Sequence, residues 1–268
     1  MNLGNIIKRF YVYKRDIKNV WEEYNLINYS LLEVKNLQKN KSFTEPFERE
    51  LLLASDKYPY KDYDIHLFID RLTKQKMPQK SLTEAIAVTE TYLQDLIAFV
   101  YQDYPLKVTH QNPDSPQSQL KLTHLIVSSN SREEIIDKLI EEKIRGIFYG
   151  NPVDFFLKDK AQIGFGIAFQ NYVTAIDLYT EIVARRNIII HNDNKVDSKY
   201  IREVKNCALT IGQQPLSDKE YVKKTVIILR SLAAISTKLV INNIYTHSIS
   251  GKRIDKMAET GIKYFNSL

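Results

Sequence analysis

Nine consecutive residues, Arg185-Arg186-Asn187-Ile188-Ile189-Ile190-His191-Asn192-Asp193, gather guanidinium, amide and imidazole groups into one short stretch. Metal-free scission of RNA needs groups of these kinds. A base must take the 2′-OH proton, an acid must protonate the leaving 5′ oxygen, and a cation must hold the phosphate as charge builds. Imidazole can be base or acid near neutral pH, and such proton transfer accelerates a reaction about 10²–10⁴-fold. Guanidinium supplies a fixed charge and a planar fork that matches phosphate oxygens. At about 100° per residue, Asn187 and His191 share one face of a helix, whereas Arg186 and His191 stand about 140° apart. Convergence is easier if the helix ends near His191, or if a second copy of the segment faces it across a dimer axis. Two-fold pairing would also supply the second imidazole that separate acid and base roles require. The plain alternative is a polar helix C-terminus, where Arg and His meet the negative end of the dipole.

The elements that must position these groups are helical. Glycine and proline number only 8 each in 268 residues, and apolar residues recur at three- and four-residue intervals nearly throughout, so the expected fold class is all-α. Leu3, Ile6, Ile7, Phe10, Ile17, Val20, Trp21, Tyr24, Ile27 and Leu31 form one stripe. A second helix is expected after Thr44, a good N-cap followed by Pro46, and a short one through Ile65, Phe68 and Leu72. Basic, proline-containing Thr73–Lys80 reads as a boundary, which gives an N-terminal helical region 1–80 and a main helical domain 81–268. Ser81 with Glu84, Ser131 with Glu134 and Ser217 with Glu220 have the spacing of capping boxes and mark three expected helix starts. The segment Leu120–Val127 suits a short strand or a short helix equally. A long run from Phe169 to His191 carries the polar segment at its end, followed by a loop 192–197, a helix 198–209 and a turn at Gly212–Pro215. The tail 254–265 reads as weakly amphipathic.

The segment Arg-Asn-Ile-Ile-Ile-His-Asn-Asp, with Asn-Lys-Val-Asp-Ser-Lys-Tyr after it, resembles the signature of the HEPN superfamily of helical ribonucleases. The catalytic branch of that family carries Arg-x(4–6)-His, often with Asn directly after the Arg and an apolar stretch before the His. Upstream, Thr-Glu-Ala-Ile-Ala-Val-Thr-Glu-Thr-Tyr-Leu-Gln-Asp-Leu-Ile looks like the family's first long helix, and Ser131 to Gly150 like its connecting helices. The likeness covers about 81–245. It implies that Arg186 and His191 are a catalytic pair supported by Asn187. Arg185, Asn192 and Glu90 are further candidates for touching the substrate, and Glu90 is placed either to steady Arg186 or to serve a plain surface or structural role. The likeness further implies a homodimer with facing motifs, metal-independent cleavage of RNA without a cofactor, and a toxin–antitoxin or phage-defence setting in which an antitoxin or other regulatory protein is a partner. One departure stands out. The branch controlled by a nucleotidyltransferase antitoxin has Tyr two places after the His, where this chain has Asp193. The competing expectation is a non-catalytic helical module of the same shape that binds a protein partner or a nucleotide.

Bulk properties set the outer bounds. With 44% hydrophobic and 26% charged residues the chain is an ordinary globular one. A net charge of +6 permits an anionic partner without demanding it. The single cysteine, Cys207, excludes an intrachain disulfide and any multi-cysteine zinc site, and points to a reducing, cytoplasmic setting. The most apolar stretch, Val222–Ile244, is interrupted by Lys223, Lys224, Arg230 and Lys238, so no membrane span is expected. Asp193 and Asp197 lack the glycine that a calcium loop needs between them. Walker-type phosphate loops and Gly-x-Ser-x-Gly are both missing from the sequence.

Overall fold

Buried Ile6, Phe10, Tyr13, Ile17, Val20 and Tyr24 follow one another by three or four residues, which places them on a single helical face. They make the inner side of α1 (Leu3–Lys39). The structure, a computed structural model, describes residues 2–39, 62–108, 116–148 and 152–268. In order after α1 come α2 (Asp62–Arg71), a π-helical turn (Leu72–Lys76), α3 (Met77–Asp103), α4 (Pro116–Ser128) and α5 (Arg132–Phe148). They are followed by α6 (Pro152–Leu157), α7 (Val173–His191), α8 (Ser198–Glu203), α9 (Lys219–Asn243) and α10 (Arg253–Phe265). The described residues contain no strand, so the chain is all-α and Leu120–Val127 belongs to a helix. The helix expected after Thr44 lies outside the described residues.

Helix α3 is the axis of the molecule. It packs against α1, α5, α7 and α9, and Leu82, Ala85, Ile86, Leu93, Leu96, Ile97 and Val100 along it are all buried. Each side chain of this size contributes about 1.5–3 kcal/mol when removed from water. Helix α9 lies across α1 and α3 and pairs with α10. By length and hydropathy alone α9 would qualify to cross a bilayer, but 72% of its most apolar window is buried inside this bundle. It comes close to α10 at Gly261, where an added Cβ would stand 2.9 Å from Ser231 Cβ.

The boundary expected at 73–80 is not a linker. The chain runs as helix from Asp62 to Asp103, with the π turn accommodating one extra residue before Pro78. Met77 donates its backbone N–H to Leu72 O, five residues back, just ahead of the proline. Pro78 has no N–H to donate and would crowd the preceding turn, so a widened turn at this place relieves the misfit. The N-terminal helix is likewise no separate module, because its buried stripe joins the same core as α3, α7 and α9.

Two of the three capping boxes need correction. Ser81 is buried in the interior of α3 and starts nothing. At the third, Asp218 is the cap and accepts from Tyr221 N at 2.8 Å, one residue beyond the serine. The second behaves as expected: Glu134 N donates to Ser131 Oγ at 3.1 Å, and the Glu134 carboxylate turns back to accept from Asn130 N at 2.7 Å. Helix α8 is shorter than 198–209 because the chain leaves the helix at Val204, which is extended (φ −89°, ψ 115°). The tail is strongly rather than weakly amphipathic: Ile254, Ala258, Gly261 and Phe265 are buried on one face of α10.

Candidate functional site

Helix α7 lies against α3 with Ile176, Tyr179, Ile182, Val183 and Ile188 buried. That orientation decides where each polar group of its last turns can go. Arg186 faces α3 and donates from Nη2 to Glu90 Oε1 at 2.6 Å. Both side chains remain partly open, 24% and 22% exposed. The Arg186 Nε is buried and has no partner among the described residues. Burial raises the Glu90 carboxyl above its ordinary value, and the Arg186 charge opposes that rise. Tyr179, seven residues before Arg186 and so on nearly the same face, has its phenol pushed upward by burial and then by the Glu90 charge.

His191 is the last residue of α7 and is exposed. Among the described residues no hydrogen bond joins its imidazole to Arg186 or to another side chain. Asn187 is half-buried one turn before it, its side-chain amide likewise without a hydrogen bond among the described residues. The chain then turns sharply: Asn192 N and Asn194 N both donate to Ile188 O at 2.9 Å, and Asp193 and Asn194 adopt φ of 49° and 57°. Asn192 gives its side-chain N–H to Lys195 O at 2.6 Å, so the role it shows is closure of this loop.

No protein-family model, curated protein or solved structure matches this chain. What its residues can do is therefore read from their own geometry.

Arg185 is corrected by that geometry. It was expected near the substrate, yet it is only 8% exposed. Its Nε donates to Glu181 Oε1 at 2.7 Å and its Nη1 to Leu216 O at 2.5 Å, while the guanidinium lies 4.1 Å from the ring centre of Tyr221. Tyr200 and Tyr221 complete the cluster, donating their hydroxyls to Glu181 at 2.6 and 2.5 Å. Burial, and then the Glu181 charge, pushes both phenols above their ordinary value, so they remain donors. Arg185 thus ties α7 to the loop before α9 through Leu216 O, and it holds the Glu181 carboxylate to which α8 and α9 donate. Its donors are spent inside the protein rather than presented to a phosphate.

Glu181, Tyr200, Tyr221 and Tyr179 did not figure among the sequence candidates. Glu181 and Tyr179 had a local signal, spacings of four and seven from the two arginines. The other two tyrosines come from distant stretches and had none. Other acidic side chains outside this site have structural partners. Asp95 accepts from Arg9 Nε at 2.5 Å, Asp197 caps α8 by accepting from Tyr200 N, and Asp159 accepts backbone N–H groups from Ile163, Gly164 and Gly166.

Proposed function

We propose that this chain is a metal-independent endoribonuclease of HEPN type, with Arg186 and His191 at its centre and a second copy completing the site. The observation that supports the reading best is the contrast between those two groups on one helix. Arg186 is fixed in direction by Glu90, and His191, one turn further on, is open to solvent at the helix end. A cation held in place costs no reorganisation when charge develops on a phosphate, and an exposed imidazole can exchange protons with a substrate.

In this scheme one imidazole takes the 2′-OH proton. The freed oxygen attacks phosphorus, the bond from phosphorus to the 5′ oxygen breaks, and a second imidazole gives that oxygen a proton. Arg186 holds the phosphate through the donors Glu90 leaves free, with Asn187 beside it. The products are a 2′,3′-cyclic phosphate and a 5′-OH. In this scheme the second imidazole is His191 of a second copy, hence the facing homodimer. A toxin–antitoxin or phage-defence effector, checked by a regulatory protein, is the setting such an activity would have.

The second reading is a non-catalytic module, and the Arg186–Glu90 pair itself favours it, because a paired arginine can serve packing alone. Expression in a growing host separates the two. The ribonuclease arrests growth, the fragments keep cyclic phosphate and 5′-OH ends in the presence of EDTA, and His191→Ala abolishes both while the protein stays folded. Cleavage that persists in His191→Ala, or absence of any cleavage by folded dimeric protein, overturns the reading.

A further inference from the structure

A pocket opens between the π turn at the head of α3 and the loops that follow α7 and precede α9. Lys74, Gln75 and Gln79 line it from the helical side, and Asn194, Gln214 and Ser217 from the loops. Pro215 and Leu216 give it an apolar flank. It holds about 100 Å³, below the about 300–1,000 Å³ usual for small-ligand sites, so it suits one small flat group rather than a whole nucleotide.

Two residues of this lining carry a polar atom that is left over. Asn194 Oδ1 and Ser217 Oγ are buried without a hydrogen-bond partner among the described residues, and their residues are only 8% and 4% exposed. Such groups are costly to leave unpaired, and proteins keep them where something else completes them. Asn194 is not free to turn away. Its backbone N–H is held by Ile188 O at 2.9 Å and its side-chain N–H by Pro215 O at 3.3 Å. Gln214 is similarly anchored, donating to Asp193 O at 3.3 Å. The π turn adds a second irregularity to the same wall, of a kind often found at functional sites.

The chemistry of the lining selects its ligand. Side-chain amides present a donor and an acceptor together, and a serine hydroxyl does either. A flat edge with alternating donors and acceptors, flanked by an apolar face, is what a nucleobase offers. Among the described residues no carboxylate lines the pocket, and Lys74, 73% exposed, makes a long ion pair of 3.7 Å with Asp70, so it can also meet an anionic phosphate at the rim.

We propose that this pocket receives one base of a single-stranded RNA, with Lys74 on its phosphate. Base choice here selects the sequence cut at the Arg186–His191 end of α7. The ligand assignment stands on the pocket alone, while the link to cutting rests on the ribonuclease reading. Gln79 and Glu90 are eleven residues apart on α3, which puts them about 20° apart around the axis and about 16 Å apart along it. Ile86 lies between them and is covered, so a strand that joins the two places spans this distance over the surface beside that face.

The test uses the full chain, the four nucleoside 5′-monophosphates and fluorescent RNA hexamers differing at one base, with affinity read by calorimetry and anisotropy. One base is expected to bind about tenfold tighter than the others in the hexamer series, and Gln79→Leu to erase that preference. Ser217→Ala, a smaller change, provides the same reading if Gln79→Leu unfolds. Equal binding of all four bases, or a preference retained in both variants, overturns the proposal. So does a free monophosphate that binds as tightly as the hexamer containing it, which would make the pocket a nucleotide site. Mapping cut ends separates this idea from the one it builds on. Cleavage with an unchanged sequence preference in both variants sinks the pocket and leaves the ribonuclease. Selective binding without cleavage supports the pocket as a base-binding site and removes the ribonuclease.

Discussion

Arg185 and Arg186 are neighbours in sequence and opposites in circumstance. The first is sealed among Glu181, Tyr221 and the Leu216 carbonyl. The second meets a single carboxylate, Glu90, at a half-open surface. A rotation of about 100° around α7 separates the two, and it turns the same side chain from a fastener into a group with donors to spare. Residue type therefore says what chemistry is available, and the direction in which a helix faces decides which copy can use it.

The largest effect should come from the open side of this contrast. Arg186→Ala and His191→Ala are each expected to lower RNA cleavage by about 10²–10⁴-fold, the histidine variant with little change in Tm; activity retained within tenfold in either would erase the distinction. Arg185→Met should do the reverse. It leaves Glu181 without its cation inside the protein, a change that costs about 3–5 kcal/mol, and chemical denaturation should register it as a lower midpoint. Smaller is Tyr221→Phe, which removes one hydrogen bond to a charged acceptor and should cost about 1.5–3 kcal/mol by the same measurement.

The last test concerns pH. Burial already holds the Glu90 carboxyl above its ordinary value of 4.5, with Arg186 opposing; in Arg186→Met that opposition is gone and the carboxyl rises further. An acid whose value is raised on folding contributes stability that is full below its unfolded value and lost as pH climbs through the folded one. Arg186→Met should therefore lose about 2–4 °C more in Tm than the parent between pH 5 and 8, corresponding to ~1 kcal/mol. Adding Glu90→Gln should flatten the difference. A parallel pair of Tm curves would mean that the two groups do not feel each other.

Much of the scaffold could be read from spacing. The stripes of α1, α3, α7 and α9 repeat every three to four residues, and a helix needs little more than that to find its buried side. The contact between Arg186 and Glu90 lies 96 residues apart in sequence, yet both stand on long, strongly patterned helices, which is why the reach from one to the other could be anticipated. What escaped has local reasons. Pro78 and the basic residues around it look like a break, but a π turn absorbs the proline and the helix continues. Ser81 and Glu84 keep the capping spacing inside a helix, where the serine has no terminus to cap. The fate of Arg185 was fixed by Tyr200, Leu216 and Tyr221, none of which is close enough in sequence to announce itself. The unpaired atoms of Asn194 and Ser217 come from loops with no periodicity to read.

Gln79 and Glu90 belong to one unbroken helix, α3. Loops can flex and interfaces can slip, but the span between two points on a buried rod does not change with either. If one end of that rod grips a base and the other steadies the cutting cation, the rod works as a gauge, and the severed bond should always lie the same count of nucleotides from the base that was gripped.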